Sequence, residues 1–324
     1  MRQAGRSLPE YRALRGDGRI LDAIKRPELA AELTAQPVRR YGVDAAILYS
    51  DIVVPVHAIG FGVDVRPGTG PVVEEPFRHE ADLARLRPLD PEDDTPYVLE
   101  TVRLLVKDLT VPVIGFAGAP FTVASYLIEG GPSRTYGRTK ALMYGDEPLW
   151  HRLLERLAGL AASSIRSQLA SGAQAFQLFD SWAGALAPTD YERYVLPHSK
   201  RIFDELADLD APGIHFGVQT GELLGLLARA GADMVGVDWR TPLDQARRRI
   251  AAGAPDRPVA VQGNLDPAVC LSGWPVVEAK TRDVLAANGD QPGHVFNLGH
   301  GVLPETDPGV LEQVVALVHD TTAR

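Results

Sequence analysis

A chain of 324 residues, 45% hydrophobic and 23% charged, has the balance of a globular protein and can bury a substantial core as one barrel-sized domain or two smaller ones. Its single cysteine, Cys270, excludes an internal disulfide and any multi-cysteine metal centre within the chain, and a formal net charge of −9 argues against nucleic acid as a partner. No apolar run of about 18 residues supplies a spanning helix, no apolar h-region marks a signal peptide, and cysteine usage fits a reducing compartment, so the expectation is a cytoplasmic protein with no membrane partner.

The opening stretch, MRQAGRSLPEYRALRG, crowds Arg2, Arg6, Arg12 and Arg15 around Gly5. Arginine offers a planar fork for carboxylates, and a glycine lets backbone approach a ligand closely. The alternative is a solvated basic tail. Arg12 and Arg15 share a face if the segment is helical. The apolar run 43–54, VDAAILYSDIVV, reads as a strand with Asp51 in its apolar end. An ionised carboxylate is costly to bury alone. Asp51 is therefore either a paired or capping surface aspartate, or a carboxylate that stabilises a cation on a ligand.

The stretch 67–96 is rich in proline and acid and reads as a surface excursion with one helical turn, not as a linker. A strand over 111–118 turns at Gly118-Ala119-Pro120 into a helix that carries Tyr126 and stops at Gly130-Gly131. Alone, Tyr126 fits a packed amphipathic position better than a catalytic one. A long helical pattern over 149–172 precedes AFQLFD, which ends at Asp180 and delivers Ser181 and Trp182. Ser181 lacks the G-x-S-x-G context of a nucleophile elbow, so its reading is ligand hydrogen bonding. Further apolar runs end at Gly217, Trp239, Asp266 and Gly301, and the helical segment 220–231 ends on a glycine, as a C-cap should. His300 lies between two glycines past the last run, either an exposed ring in a tight turn or a satisfied surface histidine.

Seven apolar runs alternating with helices predict a parallel sheet covered by helices. Polar residues crowd the C-terminal ends of the runs: Asp51, Asp180, His215, Asp238, Asn264 and His300 among them. Those ends form the active face of a (β/α)8 TIM barrel and also the ligand crevice of a doubly wound sheet. Neither G-x-G-x-x-G nor G-x-x-x-x-G-K-[ST] is present, so the barrel is the expectation, with one strand uncounted. No H-E-x-x-H motif accompanies His215 or His300, so no metal is expected. Cys270 reads as a small buried hydrophobe.

Five motifs in series, MRQAGR-LPEYR, SDIVVP, GFAGAPFT-ASYLIEGG, FDSWAG and NLGHGVLPETDP, run over the whole chain and resemble uroporphyrinogen decarboxylase. The resemblance implies one barrel domain over 1–324, a homodimer, and neither metal nor organic cofactor. It implies a tetrapyrrole substrate, uroporphyrinogen III, whose four acetate arms become methyls to give coproporphyrinogen III. Carried over by resemblance, Arg2 and Arg6, with Gln3, Ala4 and Gly5 between them, bind substrate carboxylates, and Arg2 is a candidate proton donor. Arg15 falls where a further substrate contact is expected. Asp51 accepts the pyrrole N–H groups beneath the macrocycle, and Tyr126, Ser181 and His300 complete the cleft. Met1 coincides with an internal methionine of the family, so the resemblance implies that the uncounted strand precedes it. Two other readings stand beside this one: a related barrel that transfers methyl groups to or from a corrinoid or thiol, normally with a zinc held by His and Cys, and an inactive tetrapyrrole-binding relative.

Overall fold

Proline sets many of the helix starts in this chain. The first turn of a helix has no intrahelical use for its N–H groups, so proline costs nothing there and its fixed φ suits the helix. The computed structural model describes residues 7–66 and 68–322. Helices α1 (Pro9–Arg15), α2 (Ile20–Ile24) and α3 (Pro27–Tyr41) lead into strand β1 (Ala46–Ile47). There follow α4 (Val54–Ala58), strands β2 (Val63–Arg66) and β3 (Gly70–Val73), α5 (Pro91–Asp94) and α6 (Pro96–Asp108). Strand β4 (Val113–Gly118) enters α7 (Pro120–Glu129), α8 (Gly137–Gly145) and the long α9 (Glu147–Ala170). The pattern then runs β5 (Ala175–Asp180), α10 (Pro188–Tyr194), α11 (Leu196–Leu206), β6 (Gly213–Gly217), α12 (Leu224–Arg229) and β7 (Met234–Gly236). It closes with α13 (Leu243–Gly253), β8 (Ala260–Gln262), α14 (Trp274–Asn288), β9 (His294–Val295) and α15 (Pro308–Thr322).

All seven expected strands lie in one parallel sheet, in the order β1-β4-β5-β6-β7-β8-β9. The excursion after residue 66 holds more structure than one helical turn. β3 pairs antiparallel with β2, and a 3-10 helix spans Glu80–Arg85 before α5. Its proline and acid content conceals a hairpin only four residues deep on each side.

Strand alternation separates two layers. Phe176 of β5 meets Phe203 of α11, and Gly115 of β4 faces Gln168 of α9, so those positions point to the helices. The alternate positions Phe116, Phe179 and Phe216 face the other way and pack edge to face, with ring centroids 5.3 and 6.0 Å apart. Beyond Ile114, the last partner of β1, the Gln168 amide takes over: its Oε1 accepts from Phe116 N at 2.8 Å and its Nε2 donates to Phe116 O at 3.0 Å. The sheet curls so that its end strands β1 and β9 flank one cavity of about 980 Å³, walled by α3, α14 and α15. Among the described residues no helix is long and apolar enough to cross a membrane.

Among the described residues Trp150 is the largest fully buried side chain, and its indole N–H donates to the carbonyl of Tyr194 at 2.9 Å, tying α9 to the end of α10. Trp150→Phe keeps most of the apolar contact but leaves that carbonyl without its donor. It should cost about 1–3 kcal/mol, and Trp150→Ala about 3–5 kcal/mol, in urea unfolding.

Candidate active site

Because the strands are parallel, their C-terminal ends deliver the polar residues to one rim. Asp51 sits four residues past β1, half-buried, where its Oδ1 accepts the backbone N–H of Val53 at 3.2 Å. Tyr126 comes from α7, which Gly130 ends in a left-handed conformation, φ 87°. Its ring stacks on Trp182 with centroids 3.9 Å apart, and Tyr136 adds a third ring 5.2 Å from Trp182. Burial, then the charge of Asp51 nearby, then Tyr136, push the Tyr126 hydroxyl well above its ordinary pKa. Tyr126 therefore holds its proton and offers it as a hydrogen-bond donor beside Asp51. Ser181, half-buried, leaves β5 next to Trp182, whose backbone N–H is held by Thr122 Oγ1 at 3.1 Å.

His300 stands at the other end of the strand order. Gly299 lies so close to the backbone of Trp239 that a Cβ there would meet Trp239 N at 2.4 Å. This contact brings the His300 ring edge-on to the Trp239 indole, centroids 6.2 Å apart at 89°. Asn264 locks the same corner by donating to the carbonyls of Asp238 at 2.8 Å and Thr241 at 2.6 Å. Helix α1 bridges the two ends: the Tyr11 hydroxyl is 3.0 Å from that of Tyr49, near Asp51, while Arg12 donates to Pro304 O at 3.1 Å, past His300.

Tyr126, Trp182 and Tyr136 thus form one aromatic wall, with the charge of Asp51 near Tyr126 and Ser181 next to Trp182 in the chain, and His300 stands on a second wall at Trp239. Arg15 is turned toward its own loop: it donates to Gly16 O at 3.2 Å and Gly18 O at 2.6 Å. Arg2, Gln3, Ala4, Gly5 and Arg6 lie outside the described residues. Sequence reasoning gave no role to Tyr136 or Trp239. Trp239 was open to detection, since it stands at a strand end; Tyr136 lies in a loop and reaches Trp182 only through the tertiary fold. Cys270 is buried, and burial pushes its thiol up to about 11, so it is a packing residue. Among the described residues no group of three His, Cys, Asp or Glu side chains could hold a metal ion.

A curled, helix-covered parallel sheet of seven strands with its polar groups gathered at the C-terminal strand ends defines an α/β protein with its candidate site on that rim. The family model described as uroporphyrinogen decarboxylase matches residues 1–321. Proteins named uroporphyrinogen decarboxylase from Salinispora tropica and Streptomyces coelicolor are 61% and 60% identical, covering all of this chain and 86% and 90% of theirs. The chain belongs to the uroporphyrinogen decarboxylase family. Among solved structures, a methyltransferase from Methanosarcina mazei superposes with a TM-score of 0.77 at 18% identity, over 97% of this chain and 91% of that one. A B12-independent methionine synthase from Shewanella sp. W3-18-1 does so at 0.57 and 14%, over 90% and 85%. Those two likenesses concern the fold alone.

Behind the rim lies a buried titratable pair. Asp180 Oδ1 accepts from Thr122 Oγ1 at 2.9 Å, and Asp180 Oδ2 is 3.9 Å from His215 Nε2, with both residues fully buried. That separation is too long for a hydrogen bond. Burial drives each toward its neutral form, Asp180 up to about 7 and His215 down to about 4. A carboxyl whose folded pKa is raised contributes stability that is present below its unfolded pKa and is lost as pH rises through the folded value. Asp180→Asn removes this titration and leaves His215 common to both proteins. Wild type should therefore lose stability relative to Asp180→Asn from about pH 4 to about pH 7, by up to about 1.4 kcal/mol per pH unit, in paired urea titrations.

Proposed function

We propose that this chain decarboxylates the four acetate side chains of uroporphyrinogen III to methyls, giving coproporphyrinogen III. The carrying observation is the whole-chain identity of about 60% to proteins named for that reaction. The geometry that supports it is a half-buried carboxylate, Asp51, beside a buried hydroxyl and stacked rings.

Loss of carbon dioxide leaves an electron pair that needs a sink. Protonation of the pyrrole α-carbon next to the one bearing the acetate arm makes one, a cation shared by the arm-bearing carbon and the ring nitrogen. The C–C bond to the carboxylate then breaks, its electrons neutralise the ring, and the exocyclic methylene takes a proton to become methyl as the ring proton leaves. Asp51, accepting the pyrrole N–H groups, stabilises charge that exists only along this path. Unit charges about 4 Å apart at an effective dielectric near 20 interact by roughly 4 kcal/mol, about three decades of rate. Arg2 and Arg6, with Gln3, Ala4 and Gly5 between them, on substrate carboxylates, Arg2 also as the candidate proton donor, Arg15 as a further substrate contact once its fork leaves the carbonyls of Gly16 and Gly18, and Tyr126, Ser181 and His300 around the arms complete the reading. The substrate is its own electron sink, so this path asks for no cofactor.

One barrel domain over 1–324 belongs to the same proposal. The homodimer and the cytoplasm are carried over on family membership.

Carbon dioxide release and product formation from uroporphyrinogen III test the reading directly. Asp51→Ala should lower turnover by about three decades while weakening coproporphyrinogen binding far less. Near-normal turnover removes Asp51 from the chemistry. A corrinoid or thiol methyl transfer by the wild-type chain, without carbon dioxide release, replaces the reading with its alternative.

A further inference from the structure

We propose that Arg240 is a further anchor for a carboxylate arm, supplied to the same cleft by the loop after β7. The proposal rests on the decarboxylase reading for the identity of the ligand, a ring bearing several carboxylates. It rests on this structure for the residue.

Asp238, 2% exposed, lies two residues past β7 and is satisfied from its own neighbourhood: it accepts the backbone N–H of Gln219 at 2.6 Å and of Arg240 at 3.0 Å. One nitrogen of Arg240, Nη1, lies 2.8 Å from Asp238 Oδ2. The flat of the guanidinium covers the Trp239 indole, with its carbon 3.9 Å from the ring centroid. The same indole carries His300 on its edge. Arg240, Trp239 and His300 therefore form one row on the rim, fixed at one end by the buried Asp238 and at the other by the Gly299 contact.

A counter-ion for Asp238 and nothing more would have no need of this posture. With its side chain 42% exposed, Arg240 spends one nitrogen on Asp238 and one face on the indole, and turns the rest of its fork outward. An arginine fork presented this way suits bidentate capture of a carboxylate. Because stacking and the Asp238 contact already hold the rotamer, little side-chain freedom is left to lose on binding. In a chain of net charge −9, a polycarboxylate needs such local cations.

The test uses the full chain with two ligands: uroporphyrinogen III for turnover, and uroporphyrin, the oxidised ring with the same carboxylates, for equilibrium binding. Arg240→Met keeps the stem on Trp239 and removes the charge; Asp238→Asn combined with Arg240→Met also removes the buried charge left behind. Both should raise KM and the uroporphyrin Kd about ten-fold, with kcat changed less than about two-fold, and should flatten the salt dependence of binding. Arg240→Lys should recover part of the loss. A folded double variant with wild-type KM, Kd and salt dependence overturns the proposal. So does a loss confined to kcat or to melting temperature, which marks a structural residue. If the wild-type chain releases no carbon dioxide, the decarboxylase reading fails, while the uroporphyrin comparison still decides Arg240.

Discussion

Parallel pairing is the constraint on which the rest of the molecule depends. Every strand of the main sheet runs the same way, so each must return through a helix, and every strand's C-terminal end emerges on one face. The chain can therefore spend its strand interiors on packing and its strand ends on chemistry. Phe116, Phe179 and Phe216 close the layer beneath the rim. Asp51, Ser181, Trp239 and His300, far apart in sequence, are brought to that rim by direction alone. The helix-facing positions, such as Phe176 and Leu178, are also apolar, and Asp180 and His215 among them are each driven by burial toward the neutral form.

Charge is handled by the same division. Much of the cationic surface is spent on exposed ion pairs, such as Arg39 with Glu32 and Asp108, Arg166 with Asp208, and Arg201 with Glu155 and Glu205. Such pairs contribute little to stability individually, but they neutralise arginines away from the rim. Two cations that stand close over aromatic faces differ in what else holds them. Arg85 lies 4.0 Å over Phe61 beneath the hairpin, while Arg240 lies 3.9 Å over Trp239 at the rim. The first is also bound to Asp82 and to the carbonyl of Phe61, so it serves the fold. The second is tied at one nitrogen and turned outward, which is the posture of a ligand-binding group.

The sheet was legible because buried parallel strands are written as unbroken apolar runs ending in polar residues, and no competing pattern imitates that over seven repeats. The turn from β4 into α7 was legible for a local reason: Gly118, Pro120 and Gly130 each have one backbone task. The β2–β3 hairpin was not, because its strands are short and lie against a stretch whose proline and acid content reads as loop. In the site, Asp51 and His300 stood out by placement and by motif. The stack of Tyr126, Trp182 and Tyr136 could not be read, since it joins two strand-to-helix connections and a loop that share no spacing. Arg240 was hidden for the opposite reason. One arginine among the many of an ion-paired surface carries no signal until its neighbours in space are known.

The aromatic wall gives Asp51 its leverage in the proposed chemistry. In open water a carboxylate interacts with a transient cation by about 1 kcal/mol at 4 Å, too little to matter to a slow bond cleavage. In the proposed site Trp182 and Tyr136 pack beside Tyr126, and Tyr126, near the charge of Asp51 and with its proton held tightly, can donate without adding a charge of its own. A fixed negative charge in such surroundings is oriented before the cation forms, so little reorganisation is needed when it does. The backbone N–H of Val53 holds one oxygen of Asp51 at the turn, which aims the carboxylate without neutralising it. In the proposed reaction the rings, the carboxylate and the protonated hydroxyl thus serve the cation as it forms, and the substrate itself accepts the electrons.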